Sequence, residues 1–352
     1  MFPAAHFSAA RTALLFLTFL SAGSSFAQTG IYDLQRRVVE VFRSQSNSVV
    51  RIKAQREELN PAENEPRLRL TIGSGFFVSK EGHVLTNSSL VYQMDKVLVE
   101  YRQGLEVNAK VVGLDLISNI ALLKLEKLPD KATFVQLDDS PKLPDVGIFS
   151  IAITCPLQFA PSPSMGIVTG HESSIGRRPF PTPILRTNIP ALPGDSGSPL
   201  FGLDGRFLGI NVASIKEIRA TCVFPARATK RILDDLLLSG KAEYGTIELK
   251  VKEEKNLGTA SGNRLIVSSV IPNGPAAKAG LQNGDWIKSS IYGPILSLGD
   301  LQTALFYTRP GQLLKLTVER NGESSEFSVP VQARLPRSTG SVPKAPAVPQ
   351  SP

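Results

Sequence analysis

From Leu70 to about Ser214 the chain alternates short apolar runs with turn residues. SGFFVS, HVLTN, KVLVEY, NAKVVGLD, IALLKLE, GIFSIAI, GIVTG and SPLFGLDGRFLGINVAS follow one another, broken by Gly, Pro, Asp and Asn. Many short strands at this spacing predict an all-β sandwich or barrel. Gly202-Leu203-Asp204-Gly205 has the residues of a tight hairpin turn. Upstream the period changes: Leu34, Val38, Val39 and Phe42 recur at helical spacing, which predicts a short amphipathic helix packed on the next domain. Val49 to Lys53 begins a strand, and the polar, Pro-bearing stretch 55–68 predicts a surface loop. Residues 226–238 (ARATKRILDDLLL) predict a helix closed by Gly240.

A second unit follows over 244–333. It has strand-like runs, then GPAAKAGLQNGDWI, a helix at about 298–307, and a closing hairpin whose turn is Asn321-Gly322. Residues 334–352 are rich in Pro, Ser and Ala, and this composition cannot bury enough apolar surface to fold. At the other end, Arg11, the apolar run 13–22 and Ser25-Phe26-Ala27 read as an export signal cleaved before Gln28. The apolar run is shorter than the ~20 residues a bilayer span requires. The expected organisation is therefore a signal peptide (1–27), an N-terminal helix (28–44), a β-domain (45–240), the second unit (244–333) and a disordered tail (334–352), in a soluble protein outside the cytoplasm.

Composition narrows the partners. Hydrophobic residues make up 42% and charged residues 20% of the 352, ordinary for a globular chain. The formal charge of +8 is scattered, with no dense basic run and no aromatic interleaving, which argues against a nucleic-acid surface. Cys155 and Cys222 do not by themselves make a disulfide framework, although export permits a disulfide. No cofactor motif and no metal-ligand set is present in the sequence.

The chemistry concentrates in Pro193-Gly194-Asp195-Ser196-Gly197-Ser198-Pro199-Leu200. A serine flanked by glycines on a tight turn exposes its hydroxyl and aims successive backbone N–H groups at a developing oxyanion. The stretches IGSGFFVSKEGHVLTN, VVGLDLISNIALLKLE and GDSGSPLFGLDGRFLGINVAS, in this order, resemble the trypsin-like peptidase domain of the HtrA/DegP family over about residues 45–240. The resemblance implies two six-stranded β-barrels with the active site between them. It places the nucleophile at Ser196 and the oxyanion-hole N–H groups at Gly194 and Ser196.

Two triad positions depart from the family. The general base closes the motif T-N-x-H-V-V, which here reads Thr86-Asn87-Ser88-Ser89-Leu90-Val91, so Ser89 replaces histidine. The orienting acid sits in D-x-x-x-D-I-A-L-L, which here runs from Asp115 to Leu123, so Asn119 replaces aspartate. A serine hydroxyl attacks an amide only when a base takes its proton, and neither replacement is such a base. In one well-measured triad, loss of the base costs about 10⁶ in kcat. His6 leaves with the signal, His83 lies up to about 20 Å from the base position at ~3.3 Å per residue, and His171 follows a strand on a loop.

The second unit resembles a PDZ domain, on Val270 to Leu281 (VIPNGPAAKAGL), Asn283-Gly284-Asp285-Trp286-Ile287, Pro310-Gly311 and Val318 to Gly322. PDZ domains add a peptide as an extra strand and capture its C-terminal carboxylate in backbone N–H groups. The resemblance implies a peptide-binding loop at Gly245, Thr246, Ile247 and Glu248, with Leu301 and Leu305 on the groove wall or in the core. Glu248 stands where the family has glycine, and a carboxylate there repels a bound carboxylate. The implied function is an inactive peptidase homologue that binds unfolded or extended polypeptide in the cell envelope as scaffold, regulator or chaperone. It would act in protein quality control, as a homotrimer or paired with an active homologue, in the periplasm or secreted. The alternative is an active serine endopeptidase using Ser196 and an unrecognised base.

Overall fold

The structure is a computed structural model that describes residues 30–59, 65–102, 104–140, 142–175, 178–255 and 263–334. The expected signal segment and all of the tail beyond Arg334 lie outside these residues. Residues 30–45 form helix α1. Val41 is buried and Val38 and Phe42 pack on the same core, whereas Val39 is turned outward at 45% exposure. A period of 3.6 residues gathers 34, 38, 41 and 42 on one face and excludes 39, which corrects its placement on the packed face.

The first barrel closes in the order β1 (Val49–Leu59), β2 (Pro66–Phe77), β3 (His83–Thr86), β6 (Ile120–Leu125), β5 (Leu105–Asp115) and β4 (Lys96–Tyr101), with a one-turn helix α2 (Ser88–Val91) after β3. The second barrel joins β7 (Phe149–Thr154), β8 (Ser162–Ile175), β9 (Arg178–Thr187), β10 (Pro199–Gly202), β11 (Phe207–Ile215) and β12 (Ala220–Pro225), closing between β7 and β10. Period-2 alternation assigns the side chains. On β6, Ala121, Leu123 and Leu125 fill the first barrel, while Ile120 and Leu122 join Phe76, Ile151, Phe201 and Phe224 in the core between the barrels. Burying each such phenylalanine stabilises the fold by about 1.5–3 kcal/mol.

The stretch read as a surface loop over 55–68 is instead largely the arm of a hairpin. Leu59 pairs with Pro66, Glu57 with Leu68 and Gln55 with Leu70, and Arg69 meets Glu58 at 3.2 Å. The alternation of leucine and charge supports pairing, and the polar composition reflects an arm with solvent on both faces.

Helix α3 (Ala226–Ser239) ends at Gly240, φ +73, whose N–H reaches Leu236 C=O at 3.0 Å. Beyond it come β13 (Gly245–Thr246), β14 (Leu249–Glu254), β15 (Arg264–Val270), α4 (Pro275–Lys278), β16 (Trp286–Ser290), β17 (Gly293–Pro294), α5 (Leu298–Tyr307), β18 (Leu313–Arg320), β19 (Glu323–Pro330) and β20 (Gln332–Ala333). The sheet runs β14-β15-β16-β18-β19, so β14 is an edge, and β20 pairs with β13. Asn321 and Gly322 both take positive φ, +53 and +86, as a two-residue type I′ turn demands. Phe306 of α5 leaves this unit's core and packs into that of the barrels, 6.1 Å from the ring of Phe224.

Candidate functional site

Ser196 sits on the turn between β9 and β10, where the first barrel touches the second. Leu192-Pro193-Gly194-Asp195 is a tight turn closed by Asp195 N–H on Leu192 C=O at 3.1 Å, with Gly194 at φ +101. Pro at the second position and Gly at the third suit a type II turn. A Cβ at Gly194 would come within 2.6 Å of Cys155 C=O, so the backbone approach requires glycine. The first barrel grips the turn through Ser74. Its N–H donates to Ser196 C=O (2.8 Å), its hydroxyl donates to Gly194 C=O (2.7 Å), and Cys155 N–H donates to Ser74 Oγ (2.9 Å). Pro193 C=O accepts from Leu157 N–H at 3.2 Å. The carbonyl and the N–H of a trans peptide point opposite ways, so the Gly194 N–H faces away from Leu157.

The partner of Ser196 Oγ is Asn87, whose Nδ2 donates to it at 2.6 Å from a fully buried side chain. Asn119 stands in the left-handed region at φ +61, which asparagine tolerates. Its Oδ1 accepts from Ser89 N–H (2.9 Å) and Ser88 Oγ (3.0 Å), and its Nδ2 donates to Val212 C=O (2.8 Å). The Ser89 side chain is exposed. Beside Asn119, Asp115 accepts from Ser118 N–H (2.8 Å), Ser118 Oγ (2.5 Å) and the Tyr244 hydroxyl (2.7 Å).

Asp195 lies beneath the turn, 5% exposed, with Oδ2 on Leu192 N–H at 2.7 Å. Among the described residues its Oδ1 and Ser198 Oγ make no hydrogen bond of good geometry, and both residues line, with Thr154, a cavity of about 10 Å³. Burial holds this carboxyl above its ordinary value. The two described histidines stand elsewhere. His83 Nδ1 pairs with Ser79 Oγ (2.8 Å) on β3, and His171 Nε2 with Pro144 C=O (2.8 Å) on β8. Both cysteines are buried and free, and burial pushes their thiols up, Cys155 to about 12 and Cys222 to about 11.

A groove of about 330 Å³ runs between β14 and α5. Gly245, Thr246, Ile247, Glu248, Leu301 and Leu305 line it, and so do Pro179, Phe180 and Pro181 from the second barrel. Leu301 is also a core residue at 2% exposure, and Leu305 is half-buried. Glu248 takes φ +57, and its Oε2 lies 2.7 Å from where a Cβ on Gly274 would stand, so the carboxylate rests over the start of α4. Arg334 also lines the groove, its N–H bonded to Tyr244 C=O at 2.8 Å.

Residues 73–210 match the family model of the trypsin-like peptidase domain, and residues 237–331 that of the PDZ domain. A probable periplasmic serine endoprotease, DegP-like, from Pseudomonas fulva is 33% identical over 270 residues, covering 74% of this chain and 56% of the relative. Its counterpart from Brucella suis is 30% identical over 277 residues, covering 76% and 53%. The chain belongs to the HtrA/DegP-like family. It spans just over half the length of these relatives. Among solved structures, the HtrA-type protease AlgW with decapeptide superimposes with a TM-score of 0.66 at 23% identity, over 85% of this chain and 99% of that one. The serine endoprotease from Yersinia pestis gives 0.58 at 23% identity, over 84% and 98%. At that identity the likeness shows the HtrA-type fold.

Against the HtrA/DegP motifs, Ser89 and Asn119 meet through the Ser89 N–H, and Ser196 meets Asn87, two residues before Ser89. Sequence reasoning missed Asn87. The signal was present, because T-N-x-H places an asparagine two residues before the base position, where it leaves β3 toward Ser196. Tyr244 was also missed as a link to Asp115, since nothing local in the sequence relates residues so far apart.

Proposed function

We propose that this chain is a hydrolytically inactive HtrA/DegP-like protein that holds unfolded or extended polypeptide in the cell envelope. The observation that carries this reading is the contact at Ser196 Oγ. Its side-chain partner is the amide of Asn87, which has no basicity, and the base position holds Ser89, exposed and equally unable to take a proton. Asn119 keeps the place of the orienting acid and spends its amide on Val212 C=O. The binding features remain. The turn around Gly194 keeps its positive φ, and β14 offers an open edge beside the groove, where an extended peptide adds as a strand. The relatives named periplasmic support the periplasm as the compartment. Assembly as a homotrimer, or with an active homologue, belongs to the same reading.

The intact turn favours a second reading, an active endopeptidase whose base comes from outside these contacts. Purified protein is incubated with casein and with a fluorophosphonate probe, with Ser196→Ala as control. No serine-dependent cleavage and little or no labelling is expected. Cleavage that Ser196→Ala abolishes sinks the inactive reading.

A further inference from the structure

Beneath the β9–β10 turn, inside the second barrel, two buried polar side chains face a common cavity. Asp195 is 5% exposed and Ser198 1%. Asp195 gives Oδ2 to Leu192 N–H at 2.7 Å, and its backbone C=O to Ser198 N–H (3.0 Å) and Asn211 Nδ2 (3.2 Å). Its Oδ1 makes no hydrogen bond of good geometry among the described residues, and neither does Ser198 Oγ. Both residues line the cavity of about 10 Å³, with Thr154 at the end of β7 and Thr221 on β12. Ala152, Ile189, Leu200 and Val223 close much of the remaining wall. Thr221 Oγ1 is already engaged by Thr187 Oγ1 at 2.6 Å. Besides burial, the Asp195 carboxyl feels Leu192 N–H and the Thr154 hydroxyl, and no cationic side chain stands among these influences. A cavity of this volume takes one water, which stays where it finds two to four polar partners. Because the space is no larger than one such sphere, the groups on its wall surround a single point. Two oxygens that each lie about 2.8 Å from a shared water stand up to about 5.6 Å apart, beyond the reach of a direct bond. Dry cavities are lined by apolar side chains, and this one carries a carboxyl and three hydroxyls.

We infer that this cavity is a binding site for one water molecule, held by Asp195 Oδ1, Ser198 Oγ and Thr154 Oγ1. The donors and acceptors balance. The water gives one proton to Asp195 Oδ1 and the other to Thr154 Oγ1, whose own proton is turned to the carboxyl. It accepts from the Ser198 hydroxyl. A buried carboxylate oxygen without a donor is costly, and the water supplies that donor where the protein supplies none. The bound water ties the turn that carries Ser196 to the start of β10 and the end of β7. This role is independent of whether Ser196 hydrolyses anything.

The test uses crystals of the full chain grown in sodium chloride and, separately, in choline chloride. One density peak is expected in both, within about 2.5–3.0 Å of Asp195 Oδ1 and of Ser198 Oγ. No peak, or a peak that touches neither atom, overturns the water. A peak present only with sodium overturns it in favour of a cation. Ala152→Val gives a second reading in solution, because its added methyl groups displace the water from the cavity. Burial raises the Asp195 carboxyl, so it is mostly protonated at pH 4 and ionised as pH climbs. Loss of the donor costs a carboxylate more than a neutral carboxyl. The variant should therefore lose several degrees of Tm at pH 7 and clearly less at pH 4. Filling a dry cavity raises Tm, and plain overpacking lowers it equally at both pH values. Either of those results overturns the bond to Asp195. Should the variant fail to fold, the wild-type density decides alone.

Discussion

At the scale of single residues, Asn119 does more than stand at the acid position of the family motif. Its Nδ2 donates to Val212 C=O at 2.8 Å while its Oδ1 takes the Ser89 N–H. An aspartate would accept on both sides and set a carboxylate oxygen against that carbonyl. Asn119→Asp should therefore destabilise the protein by about 1–3 kcal/mol, the scale of a buried polar group left without its partner. Thermal unfolding measures this, and an unchanged or raised Tm refutes it. For the same reason the pair Ser89→His with Asn119→Asp should give at most feeble Ser196-dependent hydrolysis of casein. Asp195 gives a prediction with a pH sign. Burial raises its carboxyl above the ordinary value. A carboxyl raised in the folded state contributes stability below its unfolded value, about 4, and loses that contribution as pH climbs through the folded value. Asp195→Asn keeps an acceptor for Leu192 N–H and puts a donor in place of Oδ1 in the cavity that Thr154 and Ser198 also line. It should leave stability nearly unchanged near pH 4 and raise it by about 1 kcal/mol at pH 7. Urea melts from pH 4 to pH 8 decide, and a gap that does not vary with pH counts against the account.

At the scale of elements, the contact of α3 with β5 is made by backbone. A Cβ on Gly113 would lie 2.8 Å from Gly240 C=O, and Leu114 N–H donates to that carbonyl at 3.2 Å. Gly113→Ala must push the end of α3 off the barrel, and the expected cost is about 1–3 kcal/mol, as for overpacking elsewhere. A circular-dichroism melt that shows no loss refutes the contact. Elements of this kind divide into those legible in the sequence and those that are not. Short apolar runs punctuated by turn residues read correctly as barrel strands, because their period and their punctuation agree. Asn321-Gly322 read as a turn because its φ values are written in those two residues. The β1–β2 arm did not read as strand, since solvent on both faces favours a charged, proline-bearing composition in which the alternation of Leu68 and Leu70 with arginine is easily taken for loop. The candidate site divides likewise. Ser196, Ser89 and Asn119 were named from motif spacing, and of these the structure bonds Ser89 to Asn119 directly. Asn87 acts through the path the chain takes as it leaves β3, and Val212 acts through its carbonyl, which no residue letter records.

At the scale of the whole molecule, the PDZ unit is fastened to the peptidase-fold unit by a shared core and by charge. Phe306 of α5, 2% exposed, packs with the barrel residues, with the Tyr244 ring at 6.1 Å and the Arg231 guanidinium at 4.2 Å from its ring centroid. Asp235 of α3 holds Arg231 at 3.0 Å and reaches Arg309 beyond α5 at 2.9 Å. The Tyr244 hydroxyl crosses to Asp115, whose backbone C=O accepts from Ser88 Oγ at 3.1 Å, and that same hydroxyl reaches Asn119. The residue before the groove loop is thus two hydrogen-bonded residues, Asp115 and Ser88, from Asn119. An interface of this kind makes the two units one cooperative body, because opening it exposes an aromatic core side chain and strands buried charges. The full chain should therefore unfold in one calorimetric transition. Phe306→Ala should cost about 3–5 kcal/mol, as large core truncations do, and should split that transition in two. In native hydrogen exchange, the amides of 241–247 should lose protection first in the variant, since the linker is then held by Tyr244, by β20 and by the bonds of Glu243 to Asp235 and Arg231, without the aromatic core beneath it. Two transitions in the wild type, or a variant that keeps a single one at unchanged Tm, would show that the PDZ unit rests on the barrels without being built into them.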